Sequence, residues 1–428
     1  MRVLKKIKVD PIVIKEKLLS WTENFREVAY LNSNDYPQQY SSYDLVVAVD
    51  AFTSLKTDYI NAFDDLKQYQ QQTNDWLFGY LSYDLKNDIE FLDSKNYDEL
   101  NFPDLFFFQP KKLFFLKGNK LEIAYLNVCD DEIDFDLEEI LKSPQTKIKS
   151  QKSNITIQQR ISKENYIHKV NQMLEHIHRG DIYEANFCME FYAKNSTIFP
   201  FEIFKELNKI SAPPFACFLK NHTHYLLSAS PERYLRKEGK KIISQPIKGT
   251  SKRFDDCILD QNSRTELKQN PKERSENIMI VDLVRNDLAH TAVKGSVQVE
   301  ELCEIYSFKQ VHQMISTIIA EVKNTTNPID IIKSTFPMGS MTGAPKISAM
   351  QIIEELEETK RGLYSGAVGY FTPTGNFDFN VVIRSILYNS NNQYLSFSVG
   401  SAITSLSNPH QEYEECLLKA KAMREVLS

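Results

Sequence analysis

Hydrophobic and polar positions change period several times along the chain, and each change marks an element. In SKENYIHKVNQMLEHIHRG, residues Tyr166, Ile167, Val170, Met173, Leu174 and Ile177 recur at helical spacing, with Ser162 placed to cap the start and Gly180 to stop the end. The spacing predicts a helix. The period then drops to two: Tyr183, Ala185, Phe187, Met189 and Phe191 alternate with Glu184, Asn186, Cys188 and Glu190. This predicts a strand with one apolar and one polar face, on which Glu184 and Asn186 point together. Farther on, TGAPKISAMQIIEELEE sets a proline at a first turn and Ile347, Met350, Ile353 and Leu356 on one stripe, a second helix. YSGAVGYF, FNVVIRSILY and YLSFSV read as strands joined by TPTGN and NSNNQ turns, and PHQEYEECLLKAKAMREVL as a closing helix. In the first third, LFGYLSYDL and DLFFFQPKKLFFL are strand-like, the latter read as a hairpin turned near Gln109 and Pro110. KSPQTKIKSQKSN (142–154) has no apolar period and reads as a linker or mobile loop between two halves. Strands joined partly by hairpins and interspersed with helices predict an α+β (mixed α/β) architecture rather than a doubly wound parallel one.

Composition narrows the class. The chain has 428 residues, 42% hydrophobic and 25% charged, enough for a large core. Its net charge of -6, from 51 basic and 57 acidic residues, includes no basic block, which argues against nucleic acid and against a polybasic membrane patch. No apolar run approaches ~18 residues, and MRVLKKIKVD carries charges where a signal peptide needs an apolar core. The expectation is a soluble cytoplasmic protein that meets small molecules or another protein. Six scattered cysteines with no C-x-x-C pair argue against zinc and against a disulfide framework.

Several residues then stand out as chemistry. Lys248 ends the apolar run of SQPIKGT, so it must reach water, pair with a carboxylate or serve as an amine in a site. Glu273 with Glu276, and Glu412 with Glu415, are three apart in predicted helices, which stacks each pair on one face. Each is a solvated face on its own; if the two met, a hard cation such as Mg²⁺ would relieve their repulsion. PMGSMTGAPK offers either a tight turn or an anion-binding helix start, and it is not a Walker sequence. Arg384, among β-branched residues in VVIRSIL, is an ion-pair partner or a carboxylate clamp. His312 in VHQMIS is a satisfied, semi-buried histidine or a site residue.

Taken in order, SPERYL, PIKGT, ENIMIVDLVRNDL, VHQMIST, PMGSMTGAPKISAMQIIEELE, RGLYSGAVGYF, VVIRS and EYEECLLKAKAM resemble the chorismate-binding enzymes. That family holds anthranilate synthase large subunits, aminodeoxychorismate synthase component I, and isochorismate and salicylate synthases. The resemblance spans roughly residues 160–428, with a weaker echo in GYLSYDLKN. It implies a chorismate-binding fold of two packed β-sheets flanked by helices, with the site between them. The implied organisation is an N-terminal region over 1–150 and a catalytic region over 156–428. Within the family, the lysine of P-I-K-G-T is similar to aminodeoxychorismate synthase component I, whereas anthranilate synthases carry P-I-A-G-T.

The resemblance also assigns roles. Lys248 would be a covalent nucleophile toward chorismate, with its pKa lowered so that the amine is neutral, and Glu232 of SPER a general acid with its pKa raised by burial. Glu276 and Glu415 would hold Mg²⁺, supported by Glu273 and Glu412. Tyr370, Arg384, Gly400 and Lys419 would hold the substrate's carboxylates, with His312 beside the ring and Ser340 lining the pocket. Two departures stand out: Glu184, where amino-transferring relatives usually have glutamine and isochorismate synthases a lysine, and Gly400-Ser401-Ala402-Ile403 in place of G-A-G-I or G-G-G-I, which adds a methyl at Ala402. No glutamine-hydrolysing sequence is seen, so ammonia is expected from a separate glutamine amidotransferase subunit, as in a heterodimer. The alternatives are an anthranilate synthase component I, and a homologue that has lost catalysis and serves only as an amidotransferase partner. Intact Lys248, Glu232 and the four glutamates weigh against the latter.

Overall fold

The computed structural model describes residues 1–142 and 155–428. Among them, 20 strands form one hydrogen-bonded network. Its pairings separate into two arrays that share the long strand Leu105–Lys117. One array runs from Arg2–Lys8 through Lys120–Leu126, Leu105–Lys117, Leu45–Thr57, Glu27–Asn32, Phe215–Asn221, His224–Ser230, Ser385–Asn389 and Tyr394–Thr404 to Glu184–Ala193. The other runs from the start of the shared strand through Leu77–Leu81, Ala367–Phe371, Phe377–Val381, Arg233–Glu238 and Lys241–Gln245 to Val311–Glu321. One core cluster takes Ala48, Leu113, Cys217 and Leu226 from the first array and Phe78, Leu235, Ile318 and Phe379 from the second. A second core lies on the other face of the first array, against helices that include Lys163–Arg179 and Pro409–Leu427. This mixed α+β architecture agrees with the expected one.

The predicted helix ends are where cap chemistry puts them. Ser162 Oγ accepts from Asn165 N–H, and Gly180, at φ +91°, ends Lys163–Arg179 by donating to the carbonyls of His176 and Ile177. Glu184–Ala193 is a strand, but it is buried on both faces between Tyr394–Thr404 and the short strand Gly343–Ala344.

Three readings are corrected. The hairpin at Gln109 and Pro110 is absent, because Leu105–Lys117 runs straight through; a register shift between Ala51 and Thr53 of the neighbouring strand accommodates Pro110, which lacks an N–H. FNVVIRSILY is two strands, broken where Arg384 takes a left-handed backbone, φ +53°. The helix after TGAPK starts at Lys346 with no side-chain cap, and Lys346 pairs with Asp287 at 2.6 Å, so this helix start is already neutralised. The linker reading over 142–154 falls, beyond Lys142, outside the described residues. Strands of the first 130 residues pair directly with Phe215–Asn221 and Ala367–Phe371, so the division into 1–150 and 156–428 crosses continuous sheet. Among the described residues, no helix is long and apolar enough to cross a membrane.

Candidate active site

Lys248 lies on Ile247–Lys252, where the register against Val311–Glu321 shifts between Ile247 and Thr250. Such an irregularity re-aims a side chain. Gly249 makes it feasible: its φ is +99°, and a Cβ there would come within 3.1 Å of Glu273 Oε2 and of Met314 Cβ. Asn277, on the helix Pro271–Ala289, fastens the distortion by donating to the carbonyls of Lys248 at 3.1 Å and Met314 at 3.2 Å. The lysine side chain thereby turns inward and meets Glu184 at 2.7 Å.

This pairing overturns one expectation. Burial alone would push the Lys248 amine down, but the carboxylates of Glu184, Glu276 and Glu232 outweigh it and hold its pKa above the ordinary value. Lys248 is an ammonium in an ion pair, not a free amine. Glu184, the departure from the family pattern, is the cause; its Oε2 is buried without a hydrogen-bond partner.

Glu232 follows Ser230 in the turn between His224–Ser230 and Arg233–Glu238, and its carbonyl accepts from Val381 N–H at 3.0 Å. Glu232 is 4% exposed, and Ser340 Oγ donates to its Oε1 at 2.6 Å. Burial lifts its pKa to about 7, against the opposing pull of Ser340, Lys248 and the Ile247 N–H. The group is thus poised to give a proton near neutrality, as expected for a general acid.

Behind these residues lies a clamp that sequence reasoning missed. Arg361 donates through Nε and Nη2 to Glu357 at 2.9 and 2.7 Å, to the Met341 carbonyl at 2.6 Å and to the Asn186 carbonyl at 2.7 Å, while Glu357 also accepts from Cys188 N–H at 2.8 Å. One buried ion pair therefore ties the loop carrying Ser340 to the strand carrying Glu184. Gly343 permits the approach: a Cβ there would lie 2.1 Å from the Glu184 carbonyl.

The two glutamate pairs sit on Pro271–Ala289 and Pro409–Leu427, as their spacing predicted, and lysines interleave with them. Lys272 lies 3.8 Å from Glu276 Oε1 and 3.3 Å from Glu412; Lys419 lies 2.5 Å from Glu415. Glu412 also accepts from Ser401, so both of its oxygens are engaged. Burial opposes ionisation of Glu415, yet Lys419 holds it below the ordinary carboxylate range; burial lifts Glu276 to about 7, and burial with Glu415 nearby raises Glu273. Among the described residues, no three His, Cys, Asp or Glu side chains converge as a ready-made metal site. The donor chemistry of Glu276 and Glu415 nonetheless fits a hard cation, and Glu276 Oε1 is buried with no hydrogen-bond partner.

The remaining assigned residues divide. Lys419 Nζ donates to the Gly400 carbonyl at 2.9 Å, and Arg384 Nη1 to the Lys419 carbonyl at 3.3 Å, so these three gather beside Glu415. Gly400 has room for no side chain, since a Cβ would come within 2.7 Å of Cys188 Sγ. Tyr370 is not with them: its ring packs on Phe78 and Trp76, centroids 5.6 and 5.7 Å away, and it lines a separate cavity with Arg233, Asp378 and Asn380. Tyr364, six residues earlier, is a second buried tyrosine of the same run, and burial holds its phenol protonated. His312 is also turned away, its two ring nitrogens paired with Ser307 Oγ at 2.8 Å and Asp260 at 3.1 Å. Ala402 stands opposite Asn186 in the register, and its carbonyl accepts from Ser407 at 3.4 Å.

Known proteins resemble this chain in sequence and in fold. The family model for chorismate binding enzymes matches residues 26–425. The chain is 31% identical to aminodeoxychorismate synthase component 1 of Bacillus subtilis over 387 residues, 88% of this chain and 80% of that protein. It is 40% identical over 269 residues to a probable chloroplastic aminodeoxychorismate synthase of rice, Oryza sativa subsp. japonica; the match covers 62% of this chain but only 30% of that longer protein. In fold, it superposes on anthranilate synthase component I from Streptococcus pneumoniae with a TM-score of 0.79, at 24% identity, over 91% of this chain and 93% of that one. A family match over nearly the whole length, on a fold that joins the lysine of PIKGT to the glutamate of SPER, places the chain among the chorismate-binding enzymes.

Proposed function

We propose that this chain aminates chorismate at C4, the reaction of an aminodeoxychorismate synthase component I, in the route to p-aminobenzoate and folate. The observation that carries the reading is Lys248, buried among Glu184, Glu276 and Glu232, at a position where the anthranilate-forming relatives it resembles have no amine. Its raised pKa sets the first step: Glu184, 2.7 Å away, takes a proton from the ammonium. The neutral amine attacks C2, the two conjugated ring double bonds each shift by one position, and the C4 hydroxyl leaves as water with a proton from Glu232. Ammonia then adds at C4, both double bonds return, and the C2–N bond breaks; the lysine leaves as a neutral amine, and the proton shed by the incoming nitrogen restores the acid. Chorismate and ammonia become 4-amino-4-deoxychorismate and water.

Arg384 and Lys419 supply cationic charge for the substrate's carboxylates. Glu276 and Glu415, with Glu273 beside them, would hold Mg²⁺, which when bound neutralises a carboxylate of the substrate. Ammonia is supplied in the cytoplasm by a glutamine amidotransferase subunit that joins the chain as a heterodimer, so the isolated chain uses ammonium salts but not glutamine.

The test is product analysis with chorismate, Mg²⁺ and ammonium, separating aminodeoxychorismate from fluorescent anthranilate. With ammonia withheld, mass spectrometry should find an adduct on the peptide bearing Lys248. Lys248→Ala should lose about 100-fold or more of the rate. Anthranilate as the main wild-type product, or full aminodeoxychorismate formation by Lys248→Ala, would overturn the reading.

A further inference from the structure

The strand Val311–Glu321 sends consecutive side chains to opposite faces. His312 therefore turns to Ser307 and Asp260, and Gln313 turns the other way. Gln313 is 4% exposed, and its Oε1 is buried with no hydrogen-bond partner. It lines a cavity together with Arg384, Lys419, Ala229 and Pro231. Arg384 brings cationic charge to it beside Lys419, which is paired with Glu415, and Pro231 is the chain neighbour of Glu232. An unpaired amide oxygen in such a cavity is costly until something brings it a donor.

We propose that Gln313 contacts the substrate: its Oε1 accepts a hydrogen bond from the hydroxyl of a hydroxylated ring carboxylate whose carboxylate group is held by Arg384 and Lys419. The identity of that ligand as chorismate rests on the reaction proposed above. Gln313 then selects for a hydroxyl-bearing ligand, because a ring carboxylate without one satisfies the cations and leaves the amide oxygen unpaired.

The experiment compares direct binding of chorismate and of benzoate, a ring carboxylate with no hydroxyl, by calorimetry. Gln313→Met keeps the length of the side chain and removes the acceptor; Gln313→Asn keeps an amide at shorter reach and serves as a second variant, with circular dichroism as the folding check for both. Chorismate affinity is expected to fall about 10- to 100-fold in Gln313→Met and by less in Gln313→Asn, with benzoate affinity changed less than about twofold in either. Arg384→Met should weaken both ligands. Chorismate affinity within about twofold of wild type in a folded Gln313→Met would overturn the proposal, as would equal losses for both ligands. Wild type that binds chorismate as described but forms no aminodeoxychorismate sinks the proposed reaction alone and leaves the Gln313 contact standing; failure of wild type to bind chorismate overturns both.

Discussion

Replacing Glu232 with glutamine separates what this carboxyl does for catalysis from what it costs the fold. Burial holds the group at about 7, where an unburied glutamic acid sits at 4.5. Ionising it in the folded chain therefore costs about 3 kcal/mol more than in the unfolded chain. The sign follows from which state keeps the proton more tightly. Below pH 4.5 both states are protonated, and wild type keeps its full stability; from there the unfolded chain releases its proton first, and stability falls until the pH has passed about 7, beyond which the loss is complete. Glutamine keeps the shape without the charge, and the Ser340 hydroxyl can rotate to serve either end of the amide. Glu232→Gln is thus expected to show little change from its acid-side standing while wild type loses ground, so that the variant gains about 3 kcal/mol relative to wild type between about pH 4 and pH 8. Urea unfolding at closely spaced pH values measures this, provided the slope of the transition is unchanged. The variant should also lose turnover, having no proton to give. A stability difference that stays flat with pH would refute the reasoning, whatever happened to activity.

Glu184→Gln removes the nearest carboxylate from Lys248, so the lysine pKa should fall and the acidic limb of the pH–rate profile, measured with ammonia held constant, should move to lower pH; an unmoved limb would detach Glu184 from the lysine's protonation. Chelation with EDTA should stop turnover reversibly, and Glu276→Ala should reduce it by about 100-fold or more with the circular dichroism unchanged; full activity in both experiments would remove the metal proposal. Arg361→Met leaves Glu357 charged and unpaired in the interior, which should cost about 3–5 kcal/mol by urea unfolding and lower turnover through the loosened loop that carries Ser340.

What was legible in the sequence was local. Ser162, Gly180 and the stripe from Tyr166 to Ile177 define a helix without help from the rest of the chain, and the spacing of Glu273 with Glu276 and Glu412 with Glu415 fixes two helical faces. Fold class and the Lys248 and Glu232 positions were readable because motifs carry them. What failed was the choice between near neighbours of similar chemistry. His312 and Gln313 are adjacent polar residues on a strand buried on both faces, so no alternation of apolar and polar positions told which one faced the cavity. Tyr364 and Tyr370 are both buried in one short run, and only the packing of Phe78 and Trp76 from a distant segment claims the second. The protonation of Lys248 was invisible for the same reason: its partner, Glu184, reaches it across the fold.

The pairing of Leu77–Leu81 with Ala367–Phe371 also dictates how the chain must be made. The earlier strand leaves the ribosome long before its partner exists; at ~5–20 residues per second, roughly 15–60 s of synthesis separate the two. Through that interval one edge of a strand reading LFGYL lacks its neighbour, with Gly79 too bare to shield the backbone from other strands. Nascent chains are therefore most exposed to mispairing in the middle of translation. A slower ribosome or a missing chaperone would reduce the yield of folded protein without any change in the stability of the finished molecule.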